Sequence, residues 1–199
     1  MINFVYSFFV SIVNFSLTPI LRPSIAYAHC DTTDGPVVNA ARRALSENNI
    51  NYVLIWVKPE FEKEILKALE KAKEKGQLAK SNEEKELAET EFFEFVVKIH
   101  REGEGALYEG IKPQGSVDHE IELADKAVET GKLEEVLEHI TSSEQKTLVT
   151  NLFNELEEKS KYSVDDISKG REYVKVYANF IHAVEKAIKG ETSEELHRH

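Results

Sequence analysis

Apolar residues in this sequence recur in the same order at a spacing of 82 to 83 residues. The positions that match under a shift of 83 are Ala41 with Ala124, Ala44 with Ala127, Leu45 with Val128, Ile50 with Leu133, Val53 with Val136, Leu54 with Leu137 and Val57 with Ile140. A shift of 82 places His100 on His182. An ordered match of this kind predicts two similar halves, about 34–102 and 117–189, produced by internal duplication.

Within each half, the apolar residues have the spacing of helices. Stretches rich in Glu and Lys favour helix, and apolar residues recur at three- and four-residue intervals. The first half is expected to contain a helix from residue 36, a helix over 59–75 that Gly76 ends, and a long helix over 81–101. The β-branched run 50–57 allows a strand, but no partner strand is evident, so helix is favoured. These features predict an all-α helical bundle, whose facing helices can supply metal ligands to the core.

The first 28 residues have the pattern of an export signal. Residues 2–21 are strongly apolar, and Ala26-Tyr27-Ala28 matches the small-x-small pattern of a cleavage site. Cleavage after Ala28 would remove residues 1–28 and leave His29 as the N-terminus of a secreted or extracytoplasmic protein. The alternative is an uncleaved leader that anchors the chain, since about 20 apolar residues can span a bilayer.

The remaining 29–190 are expected to form one domain, followed by a polar tail over 191–199. Its longest break is the Gly- and Pro-containing segment 103–115, and long loops in compact domains are often functional. The net charge of −11 and the lack of a basic stripe interleaved with aromatics exclude nucleic acid as an expected partner.

The new N-terminus carries the chemistry that best fits a metal ion. A histidine at a free N-terminus can bind one ion with both its amine and its ring Nδ1, and Cys30 adds a thiolate. Nitrogen and sulfur donors favour copper or nickel, with zinc less favoured. Cys30 is the only cysteine, so an internal disulfide is excluded.

Two further histidines are candidate ligands. His100 and His182 occupy matching places in the repeat, so both would approach a central site if the halves face each other. The alternative is a pair of hydrogen-bonded histidines near helix ends. Glu91, Glu94 and Glu185 lie near these histidines in sequence but are expected on a solvated face. His119 and His139 are expected to be surface residues.

The N-terminal motif resembles the start of nickel superoxide dismutase, a small four-helix-bundle enzyme with a His-Cys-Asp-x-x-Cys-Gly hook. The shared residues are His29, Cys30, Asp31 and Gly35. The resemblance implies that His29 supplies its amine and imidazole and that Cys30 supplies its thiolate and amide nitrogen. Asp34 stands at the position of the second hook cysteine, and Val37 stands at the position of the hook tyrosine.

The whole chain also resembles a family of exported helical proteins of unknown function that start His-Cys-Asp. The shared segments are 29–38, 99–105 and 170–174.

Two functional hypotheses follow from the sequence. The first is an exported copper or nickel protein with superoxide dismutase-like activity, a metal-dependent oxidoreductase that reacts with a small oxidant such as superoxide. The second is a non-enzymatic extracytoplasmic protein that binds metal or docks a partner through the segment 103–115. The sequence alone leaves both open.

Overall fold

The structure, a computed structural model, describes residues 29–190, and eight α-helices account for most of this span. Their bounds are α1 (Pro36–Ser46), α2 (Asn51–Leu54), α3 (Glu62–Leu78), α4 (Asn82–Gly103), α5 (His119–Thr130), α6 (Glu134–His139), α7 (Ser143–Lys159) and α8 (Ile167–Lys189). Between residues 29 and 190, the one β contact is an isolated bridge that pairs Thr32 with Lys112. The prediction of an all-helical protein is confirmed, and the run 50–57 contains helix α2 rather than a strand.

The same order of helices occurs twice along the described chain. Helices α1 and α5 have 11 and 12 residues, α2 and α6 have 4 and 6, α3 and α7 have 17 each, and α4 and α8 have 22 and 23. The two long helices of each set pack against each other, and the first helix of each set packs against the last. This arrangement is that of a helical bundle.

Each set of four helices has its own hydrophobic core. One core is formed by residues of α1 to α4 and the segments between them, and it includes Ile65 and Val96. The other is formed by residues of α5 to α8 and includes Phe153 and Phe180. The ring of Trp56 packs against both cores, so this residue marks the seam between them.

Polar contacts also cross the seam. The Arg171 guanidinium on α8 donates from Nε to the Val57 carbonyl at 3.1 Å and pairs through Nη2 with Glu62 Oε1 at 2.6 Å. At Gly170, a Cβ atom would collide with the side chain of Ile55. The start of α8 therefore lies tightly against the segment that follows α2.

Helix α3 is longer than the sequence indicates, because Gly76 does not end it. The helix continues to Leu78, and a Cβ at Gly76 would meet no atom within 4 Å. A glycine in an exposed helical turn weakens the helix by only about 1 kcal/mol, which the packing of α3 on α4 outweighs. The start of α4 is close to its prediction, since the Ser81 hydroxyl accepts from the Glu84 amide and caps it.

The predicted signal peptide over 1–28 and the predicted tail over 191–199 lie outside the described residues. In the part of the chain that is described, no helix combines the length and the apolar character needed to cross a membrane.

Candidate metal centre

The segment 29–35, here called the N-terminal segment, folds into a tight turn ahead of α1. The His29 carbonyl accepts from the Thr32 hydroxyl at 3.1 Å, and the Thr32 carbonyl accepts from the Gly35 amide at 2.9 Å. A Cβ atom at Gly35 would collide with the His29 carbonyl oxygen. Glycine at position 35 therefore lets the turn close and presses His29 against the helices behind it.

The His29 ring is buried and is held by two residues of the second set of helices. Its Nε2 lies 2.7 Å from Asp125 Oδ2 on α5 and 3.1 Å from the Tyr177 hydroxyl on α8. The Tyr177 hydroxyl donates to Asp125 Oδ1 at 2.6 Å, which closes a three-membered network. Burial raises the pKa of Tyr177 well above its ordinary value, and the Asp125 charge raises it further, so the phenol is protonated. The network fixes Nε2 and leaves Nδ1 on the opposite edge of the ring.

Cys30 lies on that opposite edge. Its Sγ is 3.9 Å from His29 Nδ1. A metal ion binds histidine nitrogen at about 2.0–2.1 Å and thiolate sulfur at about 2.3 Å, so one ion can reach both atoms. Burial raises the pKa of the Cys30 thiol well above its ordinary value, the charges of Glu104 and Asp31 raise it further, and Arg101 opposes them. The free thiol is therefore neutral, and a metal would have to displace its proton.

Asp31 attaches the N-terminal segment to the first set of helices. Its buried carboxylate Oδ2 lies 3.5 Å from Arg101 Nε on α4, and Arg101 Nη1 lies 3.2 Å from Glu104 Oε2. Burial raises the pKa of Asp31 to about 6, although the positive charges of Arg101 and Lys112 lower it. The loss of solvation therefore raises the pKa of Asp31 by more than the two neighbouring cations lower it.

The long loop between α4 and α5 docks on the N-terminal segment. The Lys112 amide donates to the Asp31 carbonyl at 2.7 Å, and the Thr33 amide donates to the Lys112 carbonyl at 3.0 Å. These two bonds form the isolated bridge. The loop that the sequence indicates as functional therefore lies against the N-terminal segment at Asp31 and Thr33, and its function stays a prediction.

The other two candidate ligands, His100 and His182, lie in different surroundings. His100 is buried on α4, where Nδ1 donates to the Trp56 carbonyl at 2.8 Å and Nε2 lies 3.4 Å from Glu104 Oε1. His182 is a quarter exposed on α8, with Nδ1 3.8 Å from Glu185 Oε2. His100 thus shares Glu104 with Arg101 and lies near the N-terminal segment, whereas the contact described for His182 is on its own helix.

Three side-chain ligands are not already arranged around one point. Among residues 29–190, no group of three or more His, Cys, Asp or Glu side chains is positioned to hold a metal ion. A site at His29 and Cys30 would therefore depend on backbone donors, of which the α-amine of a processed His29 is the first.

Sequence reasoning missed three features that only the tertiary fold creates. Neither Asp125 nor Tyr177 carries a local sequence signal that links it to His29. Glu185 was expected on a solvated face, but its side chain is buried and pairs with Lys189 and His182 on the same helix. The rings of His119 and His139 lie on the surface as expected, yet their centroids are 6.0 Å apart. Helical periodicity predicts the buried faces of helices but does not show which helices meet.

Comparisons with known proteins identify a family without adding a mechanism. The model of a family of unknown function, DUF6448, matches residues 34–183. The chain matches no curated protein and no solved structure. The matched span begins after Cys30 and includes Arg101, Asp125 and Tyr177, which contact the N-terminal segment. The resemblance to nickel superoxide dismutase stays a prediction.

Proposed function

The chain belongs to the DUF6448 family, and we propose that it is an exported protein that binds copper or nickel through His29 and Cys30. One observation carries this proposal. Asp125 and Tyr177 hold Nε2 of the His29 ring, so that Nδ1 is the nitrogen that faces Cys30 Sγ. Nδ1 is also the ring nitrogen that can chelate an ion together with the amine of the same residue.

The proposal depends on export and on processing after Ala28. Removal of residues 1–28 turns the amide nitrogen of His29 into a primary amine beside its own ring. The amine, Nδ1, the Cys30 thiolate and the Cys30 amide nitrogen then form a nitrogen and sulfur donor set, which suits copper and nickel better than magnesium or calcium. Because the amine and the amide belong to the backbone, this site needs only two side-chain ligands.

Asp125 contacts the ring nitrogen of His29 that does not face Cys30, so it can orient the ring without binding the metal. A histidine that binds a metal commonly donates its other ring N–H to a carboxylate, which fixes the tautomer and strengthens the ligand. The 2.7 Å contact between Nε2 and Asp125 Oδ2 provides this arrangement. His100 is the candidate for a further ligand through Nε2, because its Nδ1 is engaged by the Trp56 carbonyl. His182 is not needed for the site as proposed.

Redox catalysis and metal carriage are both compatible with this donor set. A superoxide dismutase-like enzyme needs an open coordination position, whereas a carrier can enclose its ion. The burial of His29 and the docking of the loop over 104–118 favour the carrier as a second candidate function. A superoxide-decay assay on the copper- and nickel-loaded protein distinguishes the two.

We also propose that the two sets of helices arose by internal duplication. The repeated helix order and the matched apolar positions support this origin. In such a molecule the N-terminal segment lies where the two copies meet, and metal binding is a property that neither copy has alone. A superposition of α1–α4 on α5–α8 tests the origin, since duplication requires all four pairs of helices to align together.

The metal site is tested by titrating copper and nickel into three forms of the protein. The first form begins at His29, the second retains Ala28 ahead of it, and the third begins at His29 and carries Asp125→Asn. We expect the first form to bind one ion, the second to lose most of its affinity, and the third to lose about 10–100-fold. His139→Ala is a matched control at an exposed histidine and should bind as tightly as the first form.

The same experiment defines failure. Equal affinity in the forms that begin at Ala28 and at His29 would remove the α-amine from the site. Mass spectrometry of protein purified from the export compartment gives the mature terminus and the bound metal together. A leader that is still attached would end the proposal.

A further inference from the structure

Helices α3 and α4 form an antiparallel hairpin that carries an open apolar groove on its solvent-facing side. Two adjoining cavities of about 330 and 270 Å³ make up the groove, and Lys75, Ala88 and Glu91 line both of them. Alanine and phenylalanine side chains form its floor, namely Ala68, Ala72, Ala88, Phe92 and Phe95. The small alanine side chains leave a space between the two helices that side chains from outside can fill.

The end of this hairpin presents two large apolar side chains to solvent. Leu78 at the end of α3 is 71% exposed, Leu87 in the second turn of α4 is 61% exposed, and both line the second cavity. A single exposed leucine is ordinary, but two that are continuous with an apolar groove form a patch of the kind found at protein interfaces. Among residues 29–190, the chain leaves this patch uncovered.

The two rims of the groove carry opposite charges. The rim on α3 has three lysines at four-residue spacing, which places them on one side of the helix, with Glu64 beyond them. The rim on α4 is acidic. The side chains concerned are Lys67, Lys71 and Lys75 on α3 and Glu84 and Glu91 on α4. Lys75 pairs with Glu91 within the chain, but both side chains stay nearly half exposed, so each can also meet a charge from outside.

The corresponding hairpin of the second set, α7 with α8, has a polar end. Under the shift of 83, Leu78 falls on Lys161, and under the shift of 82, Leu87 falls on Lys169. A hairpin of this kind therefore forms without leucines at its end. Packing within the chain does not account for Leu78 and Leu87, so their role is sought outside it.

We propose that the groove of α3 and α4 is the interface between two copies of this chain, which pair as a symmetric dimer. A two-fold axis parallel to the helices lays α3 of each copy over α4 of the other, so that the lysines of one copy face the glutamates of the other. The four helices then pack as a bundle, and Leu78 and Leu87 of both copies meet at the same end.

The charges favour a second copy over other occupants and fix its orientation. A two-fold axis that runs across the helices would lay the lysine rim of one copy on the lysine rim of the other, and like charges would repel. An anionic lipid would be attracted by the lysines on α3 but repelled by the glutamates on α4. Only a surface that carries both signs matches the two rims, and the same hairpin of a second copy is such a surface.

Charge reversal tests how the rims are paired. One variant carries Lys67→Glu, Lys71→Glu and Lys75→Glu, so that both rims are acidic, and the other carries Glu84→Lys and Glu91→Lys, so that both are basic. In sedimentation velocity at tens of micromolar protein, we expect the wild type to be a dimer and each variant alone to be a monomer. An equimolar mixture of the two variants should form a heterodimer, because each rim then faces the opposite charge again.

A substitution at the hairpin end tests the apolar part of the interface. Leu87→Glu should raise the Kd of the dimer by at least roughly 100-fold, because the interface would bury a carboxylate that has no partner. Leu148→Glu is the matched control at a leucine that is 43% exposed on α7, and it should change the Kd by less than about 2-fold. Circular dichroism of each variant confirms that these surface substitutions leave the helices formed.

Cross-linking tests the direction in which the hairpins pair. Cys30 is the only cysteine in the sequence, so Cys30→Ser gives a background in which a new cysteine is the only thiol. Leu87→Cys in this background should cross-link to its counterpart through a short bismaleimide, because both hairpin ends lie at the same end of the dimer. Leu148→Cys in the same background should not cross-link.

Three outcomes overturn the proposal. They are a wild type that stays monomeric at submillimolar concentration, a dimer whose Kd is unchanged in Leu87→Glu, and a mixture of the charge-reversed variants that stays monomeric. A monomer that is purified with an acyl-chain lipid in the groove would give the groove a different occupant and would also overturn it. None of these measurements contains a metal, so their failure leaves the metal titration untouched, and failure of the metal titration leaves the dimer standing.

Discussion

The two sets of helices share an order but hold the N-terminal segment by different chemistry. The second set binds the His29 ring through a satisfied network of Asp125 and Tyr177. The first set holds Asp31 through Arg101, and Asp31 Oδ1 is buried without a hydrogen-bond partner among the described residues. One attachment is a complete hydrogen-bond network, and the other is a buried ion pair that burial makes costly.

The sequence explains this difference position by position. Under the shifts that align the halves, Asp125 falls on Arg42, Tyr177 on Phe95, and Ala183 on Arg101. The apolar positions match, while the polar residues that reach the N-terminal segment do not. The comparison teaches that the halves share a scaffold, whereas the candidate site is built from the positions at which they differ.

The largest effect on stability is expected where Arg101 pairs with Asp31. Arg101→Met should lower the free energy of unfolding by about 3–5 kcal/mol at neutral pH, because it removes the guanidinium beside the buried Asp31 carboxylate and leaves only the charge of Lys112 to offset it. Urea unfolding followed by circular dichroism measures the loss. The double variant Arg101→Met with Asp31→Asn should recover part of it. A loss below about 1 kcal/mol would show that the two attachments do not differ as described.

The pH dependence of stability sharpens the same contrast. In the metal-free protein the pKa of Asp31 is about 6 in the folded state, above its ordinary value of 3.8. The folded state then holds this proton more tightly than the unfolded state does, so its stability falls as pH rises from about 4 to about 6. Relative to Asp31→Asn, the wild type should lose on the order of 1–3 kcal/mol over that range. A difference that stays constant with pH would place Asp31 in a well-solvated or fully paired environment.

The helices could be predicted from the sequence, whereas the contacts between distant segments could not. Helices and their buried faces follow from periodicity, so the buried residues Val53 and Val136 and the repeated pattern of apolar residues were within reach of the sequence. The candidate metal donors His29 and Cys30 follow from their place after a cleavage pattern. Asp125 lies 96 residues beyond His29 in the sequence, and no local signal links the two, because their contact exists only once α5 and the N-terminal segment have docked.

The contacts of Tyr177 at the candidate site escape sequence analysis for the same reason. Tyr177 sits at helical spacing among apolar residues, which marks it as core, and its burial confirms that reading. Its hydroxyl matters only because Asp125 and His29 converge on it. Likewise, His100 and His182 match in the repeat, but His100 faces the Trp56 carbonyl and Glu104 while His182 faces Glu185. Equivalent positions in a repeat therefore do not predict equivalent partners.

A smaller effect is expected from the turn that positions His29. Gly35→Ala should lower the free energy of unfolding by about 1–3 kcal/mol, because its Cβ would collide with the His29 carbonyl oxygen. It should also weaken metal binding, since His29 must shift. Gly76→Ala is the matched control in the last turn of α3, where a Cβ meets open space, and it should raise stability by about 0.5–1 kcal/mol. Similar effects of the two substitutions would contradict the tight turn.

The smallest effect is expected at the seam away from the N-terminal segment. Arg171→Met removes the ion pair with Glu62, whose side chains are 27% and 35% exposed, and also the hydrogen bond from Nε to the Val57 carbonyl. It should cost about 1–2 kcal/mol, and the part that comes from the ion pair should fall as salt is added. Lys159→Met is the control within the second set of helices, and it should cost less. Urea unfolding at low and high salt measures both. If Arg171→Met cost as much as Arg101→Met, the two sets of helices would be joined mainly along their seam, and the N-terminal segment would be attached to an interface that is already complete.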